Sequence, residues 1–320
     1  MTRYLLRRLA HTAFVLWAAF TASFVLLFLL PGDPVATMVL GGGGSAALDA
    51  AQVAALRHAY GFDRPVPAQY LDRLLHALHG DFGSSVQSGE RVGALIADAL
   101  PQTAQLTGAA LLLALLGGGA LALAGAWTRS RRLARLLDAA PALGVSAPTF
   151  WTGLMLIQFV SFRLGLFPSV GAAGPAGLVL PALTLALPAG AVLARVFTGS
   201  LRAALGEPYV TTARAKGATR ARVYFGHALR NAAGAPLALL GLLVGELLAG
   251  SVVTETVFSR GGLGRVTASA VATQDIPVVQ GLVVLGAAVF ALANLAVDLA
   301  QPLVDPRLLV RAAAPRSVTA

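Results

Sequence analysis

The chain of 320 residues contains no cysteine, which excludes a disulfide framework, a thiolate metal site and a cysteine nucleophile together. Charge is also scarce: only 12% of residues are Asp, Glu, Lys or Arg, where a soluble protein carries about a quarter. That deficit argues against a soluble fold. Lysine is nearly missing, since Lys216 is the single lysine among 24 basic residues; with abundant Ala and Gly, this fits a G+C-rich bacterial genome. No Gly-x-x-x-x-Gly-Lys-Ser/Thr loop, His-Glu-x-x-His pair or Gly-x-Ser-x-Gly elbow occurs, so neither ATP hydrolysis nor a familiar membrane hydrolase is supported. The chain is not expected to be an enzyme.

What is present is apolar: 57% of residues are hydrophobic. A spanning helix uses roughly 20 apolar residues, so about six spans and one large loop fit the length. The net charge of +10 and pI near 11.2 do not point to nucleic acid, because the basic residues lie between apolar segments rather than clustered on a soluble face. The apolar run Ala13 to Leu30 is longer than a signal-peptide core of about 7 to 15 residues and ends in Leu-Pro-Gly-Asp-Pro, so it reads as a retained first span. From Pro31 to Pro101 the composition turns polar, with seven acids and four arginines, as in a small extramembrane module. Within it, Gly41 to Gly44 reads as a linker and Ala50 to Tyr60 has helical spacing. Gln69 to His79 reads as an amphipathic helix with Leu71, Leu74, Leu75 and Leu78 on one face. His58, His76 and His79 have no acid or cysteine completing a metal site, so packing or solvent roles are the expectation.

Five more apolar segments follow, roughly Ala104 to Trp127, Leu136 to Phe162, Leu178 to Leu193, Pro236 to Phe258 and Val278 to Ala300. Six spans put both termini on one side of the bilayer. Placing the N-terminus, the loops at 127–136 and 195–230 and the C-terminal tail in the cytoplasm collects 17 basic residues there, against three in the short loops opposite. The positive-inside rule therefore predicts cytoplasmic termini and an outside module. The expected organisation is 1–30 as N-terminus and first span, 31–101 as extracytoplasmic module, 102–305 as a five-helix core with a cytoplasmic loop at 202–231, and 306–320 as a cytoplasmic tail.

The most informative stretch runs from Glu207 to Asn231. Pro208 suits a first helical turn and Gly217 can end a helix through a positive backbone dihedral, which predicts a short helix, a glycine break and a second helix leading into the next span. The charges alone fit a basic juxtamembrane loop held at anionic lipid equally well. The order of residues resembles the coupling loop of binding-protein-dependent ABC importers, whose permeases carry Glu-Ala-Ala, three residues, Gly, then nine residues before Ile-x-Leu-Pro. Ala213, Gly217 and Leu229 fall in register, while Thr211-Thr212 replaces Glu-Ala and the final Ile and Pro are missing. These departures resemble the dipeptide, oligopeptide and nickel branch, as do Leu30-Pro-Gly-Asp-Pro34, Gly80-Asp-Phe-Gly83, Arg163-Leu-Gly-Leu-Phe-Pro168, Pro277-Val-Val-Gln280 and Asp305-Pro-Arg307 in the same order along the chain.

The resemblance implies an all-α integral membrane protein with six transmembrane helices, the type I ABC importer permease fold, in the bacterial inner membrane. It implies a second homologous permease subunit, two ABC ATPase subunits and an extracytoplasmic solute-binding protein as partners, beside the lipid bilayer. No cofactor or metal is expected on this chain; ATP and Mg belong to the partner ATPases. Tyr209, Thr212, Ala213, Ala215, Lys216, Gly217, His227 and Leu229 are the expected ATPase-coupling residues. Glu246, near the middle of the fifth span, is a candidate for the translocation path or for a structural hydrogen bond, since a charge at the bilayer centre costs about 2.5–3.5 kcal/mol. Glu255 and Asp298 lie nearer span ends, and a structural role is expected for Glu255. Gly241, Gly245 and Ala249 have the small-residue spacing of a helix contact. Pro141, Pro148, Pro181 and Pro188 are candidate kinks. Di- or oligopeptides are the expected cargo; a nickel chelate, a glutathione-like solute or, in a different class, an ion-driven secondary transporter are the alternatives.

Overall fold

The computed structural model describes residues 2–28, 58, 63–171 and 174–304. The linker at Gly41 to Gly44 lies outside the described residues, as do all but His58 of the Ala50 to Tyr60 stretch. The helices are α1 (Thr2–Phe28), α2 (Val66–Leu78), α3 (Val92–Trp127), α4 (Arg131–Ser146) and α5 (Thr149–Leu156, continued as a π-helix Ile157–Arg163). After them come α6 (Ala176–Gly206), α7 (Pro208–Ala215), α8 (Leu229–Ala232, preceded by a π-helix Arg222–Ala228), α9 (Gly234–Val257), α10 (Leu263–Ala272) and α11 (Ile276–Val304). Among the described residues, α1, α3, α6, α9 and α11 are long and apolar enough to cross a membrane.

The apolar segment from Leu136 to Phe162 is not one straight span. It is split into α4 and α5, which meet at 97°. The cause is local: Ala147 takes an extended backbone (φ −98°, ψ 136°) before Pro148, because a proline ring clashes with a helical residue ahead of it. Pro141, Pro181 and Pro188 remain inside continuous helices. Helix α3 begins at Val92, well before the apolar run that starts at Ala104, so its first turns come from the polar segment.

Contacts divide the chain into two units, 1–104 with 259–291 and 105–258 with 292–320. In the first, Tyr70 of α2 packs on Phe20 and Phe24 of α1 with ring centroids 5.8 and 5.3 Å away. Its hydroxyl lies 2.9 Å from Thr21 Oγ1. The leucine face predicted for α2 points outward: Leu71, Leu75 and Leu78 are 58, 58 and 74% exposed, while Gln69 is buried. Val92, Ala99, Leu263, Ala270, Val278 and Leu282 form the core. Asp275, buried ahead of α11, accepts hydrogen bonds from Ser85 Oγ at 2.5 Å and the Val86 amide at 3.3 Å, which satisfies its carboxylate.

In the second unit α6 is central and packs on α4, α5, α8 and α9. Its apolar core joins Leu185, Ala189 and Leu193 to Leu106, Ala110 and Ala114 of α3 and to Leu243 and Leu247 of α9. Small residues allow the closest approaches. A Cβ added at Gly118 of α3 would collide with the Gly190 carbonyl of α6, and one at Gly144 of α4 would stand 2.8 Å from Ala191 Cβ. Without a hydrophobic force between helices in lipid, such approach supplies the packing. Arg202 of α6 clamps Asp138 of α4 through two hydrogen bonds of 2.8 and 2.9 Å. We expect Gly118→Ala to cost about 1–3 kcal/mol of stability, because a backbone carbonyl cannot step aside. Gly119→Ala, with open space at its Cβ position, should be neutral; thermal unfolding of both purified variants checks the contrast.

Candidate coupling site

The loop between α6 and α9 is built in three parts. Glu207 leaves the helical conformation at ψ 149°, and Pro208 occupies the first turn of α7, where its missing N–H leaves no donor unpaired. At the other end the Gly217 amide donates to the Arg214 carbonyl at 2.9 Å and the Ala218 amide to the Ala213 carbonyl at 3.0 Å. This is a Schellman cap, and Gly217 holds its left-handed position with φ +81°. Nothing lies within 4 Å of a Cβ built there, so backbone strain rather than crowding selects glycine. Thr219 Oγ1 then accepts from the Arg222 amide at 3.3 Å as the next helix begins.

The second half of the loop is clamped to the end of α3. The Arg220 guanidinium sits 4.4 Å above the Trp127 ring and donates to the Trp127 carbonyl, a cation–π contact reinforced by a hydrogen bond. The Tyr224 ring meets Trp127 edge-on at 5.0 Å, and its hydroxyl donates to the Leu123 carbonyl at 2.7 Å. Tyr224 is only 2% exposed and shares a core with Leu201, Ala204, Ala228 and Ala232. Burial raises the Tyr224 phenol above its ordinary range, and the nearby Arg220 charge opposes this in part.

Of the residues expected to couple, Tyr209 is half-buried and donates to the Ala204 carbonyl at 2.8 Å, which ties α7 back to α6. Thr212, Ala215, Lys216 and Gly217 are exposed, Ala213 is half-buried, and Thr212 Oγ1 bonds the Pro208 carbonyl at 3.4 Å. His227 is exposed and Leu229 half-buried on the following helix. Sequence reasoning passed over Trp127, Arg220, Tyr224 and Val210. Val210, 3% exposed, is the apolar anchor of α7, and its buried position could have been suspected from Val being the one branched apolar residue in that helix.

The remaining candidates separate. Glu246 is exposed on α9, in one stripe with Leu242, Ala249 and Val253. Glu255 is fully buried, as a structural group would be. Gly241, Gly245 and Ala249 do not form one internal contact: Gly241 is buried with a Cβ position 2.5 Å from Asn294 Oδ1 of α11, while Ala249 is exposed. His76 and His79 turn their Nδ1 atoms onto the carbonyls of Asp72 and Leu75. No group of three or more metal-binding side chains occurs among the described residues.

Five helices among the described residues are long and apolar enough to cross a membrane and, with a short capped helix between two of them, mark a multi-span membrane protein. Residues 114–310 match the family model described as the binding-protein-dependent transport system inner membrane component, and residues 1–107 match the N-terminal model of that system. The chain is 37% identical over 308 residues to the glutathione transport system permease protein GsiC of Salmonella typhimurium, covering 96% of this chain and 99% of that one. It is 35% identical over 313 residues to a probable peptide ABC transporter permease protein of Sinorhizobium fredii, covering 95% and 98%. The inward-facing MetNI methionine ABC transporter shares the fold at 20% identity with a TM-score of 0.52, over 66% of this chain and 96% of that one. The chain belongs to the binding-protein-dependent permease family, in its dipeptide and oligopeptide type, and is a multi-pass inner-membrane permease subunit of an ABC importer.

Tyr224→Phe should cost about 1 kcal/mol through loss of the bond to Leu123. Because the folded state holds the phenol proton more tightly, the stability it lends is complete below about pH 10 and lost as pH rises through the raised folded value. The thermal midpoint of the wild type should therefore fall more steeply in alkali than that of Tyr224→Phe.

Proposed function

We propose that this chain forms half of the translocation pathway for di- and oligopeptides and passes the force of ATP hydrolysis from a separate ATPase through α7. The observation that carries this reading is α7 itself, an eight-residue helix fixed at both ends with Thr211, Thr212, Arg214, Ala215 and Lys216 left exposed. Such a helix can enter a cleft on an ATPase subunit and move as a rigid lever. The partners are a second homologous permease, two ATPase subunits that bind ATP and Mg, and a solute-binding protein. The excess of basic residues in the loops beside α7 supports cytoplasmic termini, with α4 and α5 counted together as one crossing.

A peptide cargo is supported by the relatives named for peptide and for glutathione, which share amide bonds and free carboxylates. Glu246 lies on the open stripe of α9 and is assigned to the pathway. A secondary transporter would take up solute on an ion gradient and be indifferent to ATP.

Accumulation of labelled di- and oligopeptides, glutathione and nickel, in cells with and without the chain and with and without ATP depletion, tests the reading. Peptide uptake should require both the chain and ATP; loss of nickel uptake alone would move the cargo to the metal branch. Gly217→Trp should abolish accumulation while the protein still reaches the membrane at its normal level, and uptake at the wild-type rate would sink the coupling role. Glu246→Gln should slow uptake several-fold at unchanged membrane level.

A further inference from the structure

Helix α2 is oriented in reverse for a helix surrounded by water. Gln69 is buried and its Nε2 donates to the Arg64 carbonyl at 2.7 Å, while Leu71, Leu75 and Leu78 are exposed. At about 100° per residue the three leucines fall within about 60° of one another. Asp72 and His76 occupy the next sector round the helix and are exposed as well. The helix thus has an inward face, an apolar outer face and a polar outer face. A contiguous exposed apolar stripe of this kind marks a surface that meets either a protein or a membrane.

The depth at which α1 holds α2 decides between the two. The apolar span of α1 runs from Leu6 to Leu27, 22 residues, which at 1.5 Å per residue is about 33 Å and fills the hydrocarbon layer from end to end. Tyr70 of α2 rests on Phe20 and Phe24 of α1, and its hydroxyl meets Thr21 Oγ1. Those residues lie about 5 to 10 Å short of the Leu27 end, the depth to which an amphipathic helix in a bilayer surface seats its apolar face. Val25 and Leu26, in the same turns of α1, are exposed too, so the leucine stripe adds to the apolar surface of a membrane span. The stripe carries no aromatic, methionine or arginine side chain, the residues enriched at the centre of a protein interface. Leucine is instead among the residues that most favour hydrocarbon.

We propose that α2 is an interfacial membrane anchor, with Leu71, Leu75 and Leu78 among the acyl chains of the leaflet at the C-terminal end of α1 and with Asp72 and His76 at the headgroups. That leaflet is the outer one in the topology proposed above, and only the choice of leaflet rests on that reading. The one arginine of α2, Arg73, is not exposed, and the helix has no lysine. Apolar burial, and not attraction to anionic lipid, therefore supplies the affinity. The anchor ties the polar 31–101 segment to the bilayer surface at a point beside α1.

Because the chain has no cysteine, single spin labels can be attached to it before it is assembled with its partner subunits in phosphatidylcholine nanodiscs. Labels on Leu71→Cys and Leu75→Cys should be reached by oxygen in preference to a water-soluble nickel chelate, with an oxygen-to-chelate ratio at least about fivefold above that of a label on His76→Cys. All three side chains are exposed, so the thermal midpoints should match the wild type. Equal ratios at the three positions would place the stripe in water and overturn the anchor. Poor access of both reagents to Leu71→Cys and Leu75→Cys would give the stripe to a partner chain and overturn it as well. Adding phosphatidylglycerol should leave the ratios unchanged, and contact with acyl chains only in its presence would overturn anchoring by apolar burial. Leu78→Glu should bring the Leu71→Cys label towards the aqueous ratio while the midpoint in detergent stays that of the wild type; an unchanged ratio would count against the anchor. These readings need no transport. A stripe found in water removes the anchor and leaves the importer standing, whereas absent peptide uptake removes the peptide reading and leaves the anchor standing.

Discussion

The close approach of α3 and α6 at Gly118 and Gly190 is the contact on which the 105–258 unit depends. Lipid tails are as apolar as leucine, so burying apolar side chains between two spans gains little; backbone proximity and dispersion do the holding. Once α6 is seated there and, through Ala191, against Gly144 of α4, its far end is seated too. Leu201 lies eleven residues beyond Gly190, roughly 16 Å along the helix. With Ala204 it receives Tyr224, Ala228 and Ala232. The position of the loop between α6 and α9 thus follows from glycines on α3, α4 and α6.

The loop adds its own constraint through aromatic and cationic groups. Trp127 ends α3, and it is met by Arg220 on its face and by Tyr224 and Phe225 on other sides. An indole at a membrane boundary has an apolar body and can meet a cation, which makes it a suitable partner for a basic loop. The same arginine that counts toward the charge asymmetry of the loop therefore also has a structural post. Charge counting alone would treat Arg220 and Lys216 alike, yet one is packed and the other exposed.

Much of this was legible in the residues. Hydropathy located the long helices, Pro208 and Gly217 bounded α7, and the family resemblance singled out the loop that holds it. The bend at 147–148 was not visible to hydropathy, which measures how apolar a segment is and not the direction of its backbone; Pro148 marked the place without giving the angle. The start of α3 was hidden because Val92 to Pro101 mixes apolar residues with Asp98 and lies in a polar stretch. Amphipathic spacing found the leucine stripe of α2 but could not orient it, since beside a bilayer an apolar face need not turn inward. The pairing of Trp127 with Arg220, 93 positions apart, has no local signature.

Helix α7 shows why the loop needs so many anchors. Eight residues make little more than two turns, far below the length at which a helix is stable alone. Its stability must come from outside: Pro208 presets the first turn, Val210 is buried, Tyr209 reaches the Ala204 carbonyl, and the Schellman cap closes the end at Gly217. These groups bear the folding load, which leaves the exposed residues Thr211, Arg214, Ala215 and Lys216 open to a partner. In the coupling role proposed for α7, a lever that yielded at either end would absorb the motion it has to transmit. In that proposed role, anchoring falls on Pro208, Tyr209 and Val210 and contact with a partner on the exposed residues, while Gly217 both caps α7 and sets the direction in which the chain leaves it.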